Sequence, residues 1–441
     1  FFCTFISAKN IYSYMNRLRN NTVENVKWIE VAGIALLFLL TPSIIGLPAI
    51  IYYVTSKRRP NKTNYYTFFI CIAAYIGAVN ATKHAGGDQI NYAWAYLNVP
   101  TQGFIGSLKN IYGYRVAMGE KGATNISGEF MNGVYNYLGY YLTFGNYSLF
   151  IFLYSLMEIM LILMGVYHFS TQLKSPKMVL ICGTITMCFF YMYFNLMLQI
   201  QKQFFGQAIM MYVIGHYARY GKMTKKTWIM MFASVFTHTT NILFIPFLLV
   251  KRLRSKMNKQ TLMMMCVLFA LLIIMGPSMA REITSSSDGS VLGYGLSRVA
   301  NSKGLDDGLG GLDFTHPRVH VLLLPLLFVL YKKQWKERKS MNVTEQFLMN
   351  IMLLLILAVF AMFNQPTAQY RYFMMFYMFI PYIIPYIGRS LKERNLLLKG
   401  FASLSMGCFF LFFENIIWEY APEFDIIFFS PIYLTFGGYY L

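Results

Sequence analysis

The sequence predicts an all-α protein, a polytopic bundle of transmembrane helices, and three observations predict it. Only 13% of its 441 residues are charged and 56% are hydrophobic, whereas soluble domains carry roughly 25% charged residues. The apolar residues fall into runs of about 17–25, the length at which a helix crosses about 30 Å of hydrocarbon. Those runs do not alternate, which excludes a closed barrel of short strands. A segment that satisfies its own backbone hydrogen bonds in lipid is then a helix.

In chain order, about ten full spans are expected: 31–54, 65–82, 147–168, 178–197, 204–219, 261–280, 319–331, 345–363, 372–387 and 401–414. Six connectors between them are basic, at 57–62, 174–177, 219–226, 251–259, 332–339 and 389–399. They hold 24 of the 38 Lys and Arg residues. Under the positive-inside rule all six face the cytoplasm, and the net charge of +20 belongs to topology rather than to nucleic acid. Two long loops, 83–146 and 281–316, then face outward. The N-terminal segment is placed outside, because Lys57, Arg58, Arg59 and Lys62 are denser than the basic residues before the first span, while Pro42, Gly46 and Pro48 leave room for a broken first helix instead.

One apolar stretch, 228–250, has basic flanks on both sides. As a full span it would invert every later loop, so it is expected to enter and return as a short re-entrant helical hairpin. Its turn is the polar run Thr237-His238-Thr239-Thr240-Asn241, and a turn at that depth requires a protein-lined or water-filled cavity. The whole chain, 1–441, is then one integral membrane domain. Six cysteines lie scattered without CxxC or metal-ligand spacing, which points to packing.

The cations outside the basic connectors carry the functional signal. Lys202, Arg281, Arg298, Lys303, Arg318 and Arg371 all fall at outer span ends or in the second outer loop, against the positive-inside trend. Arginine matches phosphate oxygens with a two-pronged fork, so a lipid-linked diphosphate at the outer face is the expected ligand. Gln199, Gln203 and Gln207 recur every four residues and share one helix face, which is expected to line a wet cavity. Asp88, after two glycines in the first outer loop, is a candidate acceptor of a sugar hydroxyl proton. His316 and Arg318 re-enter the membrane from outside, and Glu158 is an acid within a span.

The run Gly87-Asp88-Gln89-Ile90-Asn91-Tyr92, the stretch from Gln203 to Tyr220 with its basic loop, the segment from Ala233 to Asn241, and Gln369-Tyr370-Arg371-Tyr372 occur in an order that resembles the Wzy-like polysaccharide polymerases of the EpsG type. These are bacterial inner-membrane proteins that extend O-antigen, capsule or exopolysaccharide. The resemblance implies a GT-C-like fold and a metal-independent glycosyltransferase without cofactor. It would join undecaprenyl-diphosphate-linked oligosaccharides at the periplasmic face, beside membrane lipids and a chain-length-regulating co-polymerase. It implies Asp88 and His238 as polar groups of the cavity and Arg371 as a grip on diphosphate. The transfer then needs a catalytic base, Asp88 as first choice and His238 as second, and the outward-facing Lys202, Arg281, Arg298 and Arg318 are expected to join Arg371 on the departing diphosphate. Tyr92, Gln199, Gln203, Gln207, His316 and Tyr370 would line the cavity. Lys202 stands where such polymerases usually carry arginine. An O-antigen ligase or a flippase for lipid-linked sugars are the alternative functions.

Overall fold

The computed structural model describes residues 25–84, 86, 88–109, 127–171, 173, 176–190, 197–198, 200–254, 260, 263–264, 267, 341, 343–361, 378–386, 390–411 and 420–439. Every regular element among them is helical. The span expected at 319–331 and the loop at 281–316 lie outside the described residues, as does the span expected at 261–280 apart from residues 263, 264 and 267, which are helical. Of the described helices, Tyr147–Ser170 is long and apolar enough to cross a membrane on its own.

The described residues open with α1 (Trp28–Leu40) and α2 (Ser43–Ser56). Here the structure corrects the single span expected at 31–54. Thr41 and Pro42 are extended, because proline blocks continuation of the preceding helix. The chain then doubles back. The Tyr53 hydroxyl, near the end of α2, donates to Glu30 near the start of α1 at 3.3 Å, and accepts from Asn64 Nδ2 at 2.7 Å. The Lys27 amide donates to Thr63 Oγ1 at 3.1 Å. Both ends of the hairpin therefore sit at the start of α3 (Lys62–Ala81), and Lys27 shares an end of the bundle with the basic connector at 57–62. This overturns the placement of the two on opposite sides.

α3 begins with a reciprocal Asn61–Asn64 cap and is buried along almost its whole length. The described parts of the first long loop carry three helices, α4 (Asp88–Leu97), α5 (Val99–Lys109) and α6 (Met131–Leu142). α7 (Tyr147–Ser170) is capped by Asn146, whose side chain accepts from the Leu149 amide. α8 (Pro176–Cys188) follows, shorter than the span expected at 178–197.

α9 (Gln201–Tyr220) lies against α7 and runs in the same direction. The Tyr154 hydroxyl donates to the Gln201 carbonyl at the head of the pair, and His168 meets Arg219 at its foot. Between them two glycines let the backbones touch. A Cβ on Gly215 would collide with the Gly165 carbonyl oxygen, and one on Gly165 would lie 2.5 Å from the Met211 carbonyl oxygen. Small residues at such a crossing are how apolar helices approach closely without a hydrophobic drive. α9 ends at Gly221, whose φ of +66° makes it a left-handed cap.

α10 (Lys225–Thr237) climbs back beside α9. It stops at His238, which is extended at φ −151° and ψ 122°. A 3-10 turn (Thr239–Phe244), α11 (Ile245–Leu249) and α12 (Lys251–Arg254) then descend to the end of α9 again, where Arg254 donates to the Tyr217 hydroxyl. α13 (Val343–Ala361) joins there through Thr344, which donates to the Ala218 carbonyl at 2.7 Å. Of the span expected at 372–387, α14 (Ile380–Ile383) and a following 3-10 turn are described. α15 (Leu391–Leu411) absorbs the basic connector expected at 389–399 into a helix, with the Ser390 hydroxyl accepting from the Glu393 amide.

The last described elements are α16 (Glu423–Phe428) and α17 (Pro431–Phe436). The Ala421 amide donates to Thr82 Oγ1 at the far end of α3, and the Tyr75 hydroxyl donates to the Ile426 carbonyl lower down. The following Phe429 carbonyl accepts both from Ser43 N at 3.1 Å and from Ser43 Oγ at 2.8 Å. The tip of the α1–α2 hairpin thus meets the turn between α16 and α17. The 13 residues of α1 and the 6 of α16 together rise about 29 Å, the height of α3.

Two outcomes follow from this packing. In a cysteine-free background, Lys27→Cys and Lys57→Cys are expected to react with an impermeant thiol reagent from the same side of the membrane; labelling from opposite sides would contradict the hairpin. Gly215→Leu is expected to cost about 3 kcal/mol through overpacking, read as a lowered Tm of the purified protein.

Candidate functional site

Gln201, Lys202 and Gln203 form the first turn of α9, and all three are buried. A cation there is doubly disfavoured. The helix N-terminus already carries about half a positive charge, and burial strips the ammonium of water. The chain answers with an acid from the first long loop. Glu129, in the turn before α6 and itself buried, holds Lys202 Nζ at 2.9 Å through Oε2. The Tyr92 ring of α4 covers the same ammonium at 5.9 Å.

The other carboxylate oxygen of Glu129 faces the break after α10. Its Oε1 accepts from the Thr239 amide at 3.2 Å and from the Thr239 hydroxyl at 3.4 Å. It lies 3.8 Å from His238 Nε2. His238 Nδ1 pairs with Thr240 Oγ1 at 2.7 Å, which leaves Nε2 as the nitrogen turned toward the acid. Burial pushes the Glu129 carboxyl up. The charges of His238 and Lys202, with the hydrogen bonds from Lys202 and Thr239, outweigh that effect and hold it down at about 2.

The break is held against α9 by close backbone contact. Ser234 Oγ donates to the Gly206 carbonyl at 2.6 Å, and Asn241 Nδ2 donates to the Ser234 carbonyl at 3.3 Å. Any Cβ at Gly206 would come within 2.5 Å of Asn241 Nδ2, so a larger residue there would push the histidine away from Glu129. Thr237, at the end of α10, shares a 3.1 Å hydrogen bond with Tyr135 of α6. Four separate parts of the chain therefore converge on one buried charge cluster.

Of the residues the sequence singled out, Tyr92, Lys202 and His238 come together here, with Gln203 in the same turn as Lys202. Gln207 lies one turn further along α9 and borders a small, mainly apolar cavity with Met210, Met211, Phe244 and Phe379. Asp88 opens α4 and is exposed, one helical turn before Tyr92. Glu158 is fully buried within α7. Gln199, Arg281, Arg298, His316, Arg318, Tyr370 and Arg371 lie outside the described residues. Among the described residues no three His, Cys, Asp or Glu side chains gather as a metal-ligand set.

Glu129 was not anticipated. The first long loop holds three acids, Asp88, Glu120 and Glu129, and no local pattern distinguishes the last. The available signal was indirect: a lysine in the first turn of an apolar helix demands a carboxylate, and that loop is where one is at hand.

In comparisons with known proteins, a family model described as the EpsG family matches residues 64–427. That range contains all the residues of the cluster. No curated protein matches the chain, and no solved structure does.

Because its carboxyl is held below the ordinary value of 4.5, ionised Glu129 contributes stability that is complete above pH about 4.5. That contribution is lost as pH falls toward about 2. Glu129→Gln is expected to flatten this part of the acid-denaturation profile, followed by Tm against pH. Lys202→Met leaves the acid buried beside His238 alone and is expected to cost about 3–5 kcal/mol.

Proposed function

The chain belongs to the EpsG family, and from that premise we propose that it is a membrane-embedded polysaccharide polymerase. The reaction is glycosyl transfer between lipid-diphosphate-linked oligosaccharides, with undecaprenyl as the carrier, at the outer face of a bacterial inner membrane. The observation that carries the reading is the buried Glu129–Lys202–His238 cluster at the head of α9. It sits at the end of the bundle away from the basic connectors around Lys57 and Arg219.

In the proposed step an acceptor sugar hydroxyl attacks the anomeric carbon of the donor glycan. The new carbon–oxygen bond forms as the bond from that carbon to the diphosphate oxygen breaks. The hydroxyl proton passes to His238 Nε2, and the lipid diphosphate leaves as an anion. Glu129 favours the resulting imidazolium, as a carboxylate beside a catalytic histidine does. The Thr240 contact at Nδ1 leaves Nε2 as the nitrogen turned toward Glu129. Lys202 in this scheme keeps Glu129 ionised and in place, so its ammonium serves the acid before it serves a phosphate.

The departing diphosphate is assigned to Arg281, Arg298, Arg318 and Arg371, whose guanidinium forks suit it. Asp88 is assigned to the entrance, where an exposed carboxylate receives the acceptor sugar. The break at His238 is the tip of the re-entrant hairpin at 228–250, with its polar residues turned to the substrate cavity rather than to lipid. No metal and no cofactor enter the scheme. A chain-length-regulating co-polymerase is the expected partner.

The purified protein, given a lipid-diphosphate repeat unit, is expected to produce a ladder of glycan products. His238→Gln and Arg371→Ala are each expected to lower the rate at least about a hundredfold, the usual contribution of a proton acceptor or an oxyanion clamp. Glu129→Gln should reduce kcat and displace the pH dependence of kcat. Lipid-linked sugar moved across a vesicle bilayer without a ladder would identify a flippase, and a single transfer to a lipid A core would identify a ligase.

A further inference from the structure

We propose that the opposite end of α9 carries a separate phosphate-binding site, built from His168, His216, Arg219 and Lys226. It lies 17 residues along α9 from Lys202, about 26 Å away, and is independent of the transfer chemistry.

The parts come from three helices. His168, near the end of α7, places Nδ1 3.4 Å from Arg219 Nη1. The His168 and His216 rings meet edge to face at 5.5 Å, and His216 lies 4.6 Å from the Tyr220 ring. Aromatic faces hold the cations: Arg219 lies 5.0 Å from the centre of Tyr220, and Lys226 of α10 lies 5.5 Å from that of Tyr212. The two imidazoles are half-buried, while Tyr220 and Lys226 are exposed. His216 Nδ1 is shut off from solvent and meets no hydrogen-bonding partner among the described residues.

The charge balance identifies the ligand class. The charged groups acting on His168 are Arg219, His216, Lys62 and Lys226, and those acting on His216 are Lys226 and Arg219. None of them is a carboxylate. The C-termini of α7 and α9 supply about half a negative charge each, and the N-terminus of α10 about half a positive one. Against the two full positive charges of Arg219 and Lys226 this leaves a surplus of about one and a half. A phosphate ester at neutral pH carries between one negative charge, as a diester, and about two, as a monoester. It also offers several acceptor oxygens around one centre, which matches a guanidinium fork beside imidazole and phenol donors. Free lysines in a solvated loop would need none of this framing.

The phosphate is either the headgroup of an anionic phospholipid or a soluble phosphate, and the test separates them. The full chain is purified in detergent and in lipid nanodiscs. Retention of phosphatidylglycerol against phosphatidylcholine is read by native mass spectrometry, and binding of inorganic phosphate by phosphorus NMR line width. The double variant Arg219→Gln/Lys226→Gln is expected to bind at least about tenfold more weakly, about 1.4 kcal/mol. Arg219→Lys should fall between, keeping the charge and losing the fork. His216→Phe preserves the ring packing, so it tests the nitrogens should the double variant fail to fold. Selective phosphatidylglycerol retention identifies a lipid headgroup, and line broadening by inorganic phosphate a soluble ligand. Absence of both in the native protein, or equal binding by native protein and His216→Phe, overturns the site.

Discussion

The structure depends on one buried ion pair. Removing an ammonium and a carboxylate from water costs several kcal/mol for each ion, and only close mutual attraction with further hydrogen bonds offsets it. Lys202 and Glu129 meet that condition at 2.9 Å, with the Thr239 amide and hydroxyl on the remaining carboxylate oxygen. The partners are 73 residues apart in sequence. Their pairing therefore docks the first long loop onto the head of α9 and fixes the broken helix that presents His238. Loss of either charge would weaken the tie between the loop and the histidine, although Ser234 and Asn241 still hold the break against α9.

Around that pair, the bundle is organised by helices that stop short. α1 turns at Pro42, α10 stops at His238, and α16 reaches no further than Phe428. Each interruption exposes backbone groups that lipid cannot satisfy. Each finds a protein partner: Ser43 with the Phe429 carbonyl, Thr239 with Glu129, and Ala421 with Thr82. α3, α7 and α9 run continuously alongside and supply the rigid frame. Polar chemistry within an apolar bundle is thereby placed at the breaks, where unsatisfied backbone already requires it.

Much of the frame was legible in the sequence. The apolar runs at 65–82, 147–168 and 204–219 correspond closely to α3, α7 and α9, because a long unbroken apolar run has few alternatives to a helix. His238 was marked by a polar pentapeptide inside an apolar stretch, and Lys202 by its position against the positive-inside trend. The first hairpin was legible only as the alternative that Pro42, Gly46 and Pro48 left open. Charge counting weighs flanking lysines and arginines, and it assigned one crossing where Pro42 and Gly46 allow α2 to fold back, with Phe38 packed at Gly46. Glu129 was obscured for a different reason. Long-range ion pairs leave no periodic trace, and a loop carboxylate between Gly128 and Phe130 has nothing in its neighbours to announce burial.

The joint between Ser43 and Phe429 has a temporal side. These residues are separated by 386 positions, so at about 5–20 residues per second the ribosome needs roughly 20–80 s to deliver the acceptor after the donor has emerged. During that interval the tip of the first hairpin has no native carbonyl to receive its amide and hydroxyl. Nascent chains would have to shelter it with water, with the translocation machinery or with a provisional partner. Assembly of the bundle is in that sense held open until the segment that carries Phe429 arrives, like an arch awaiting its keystone.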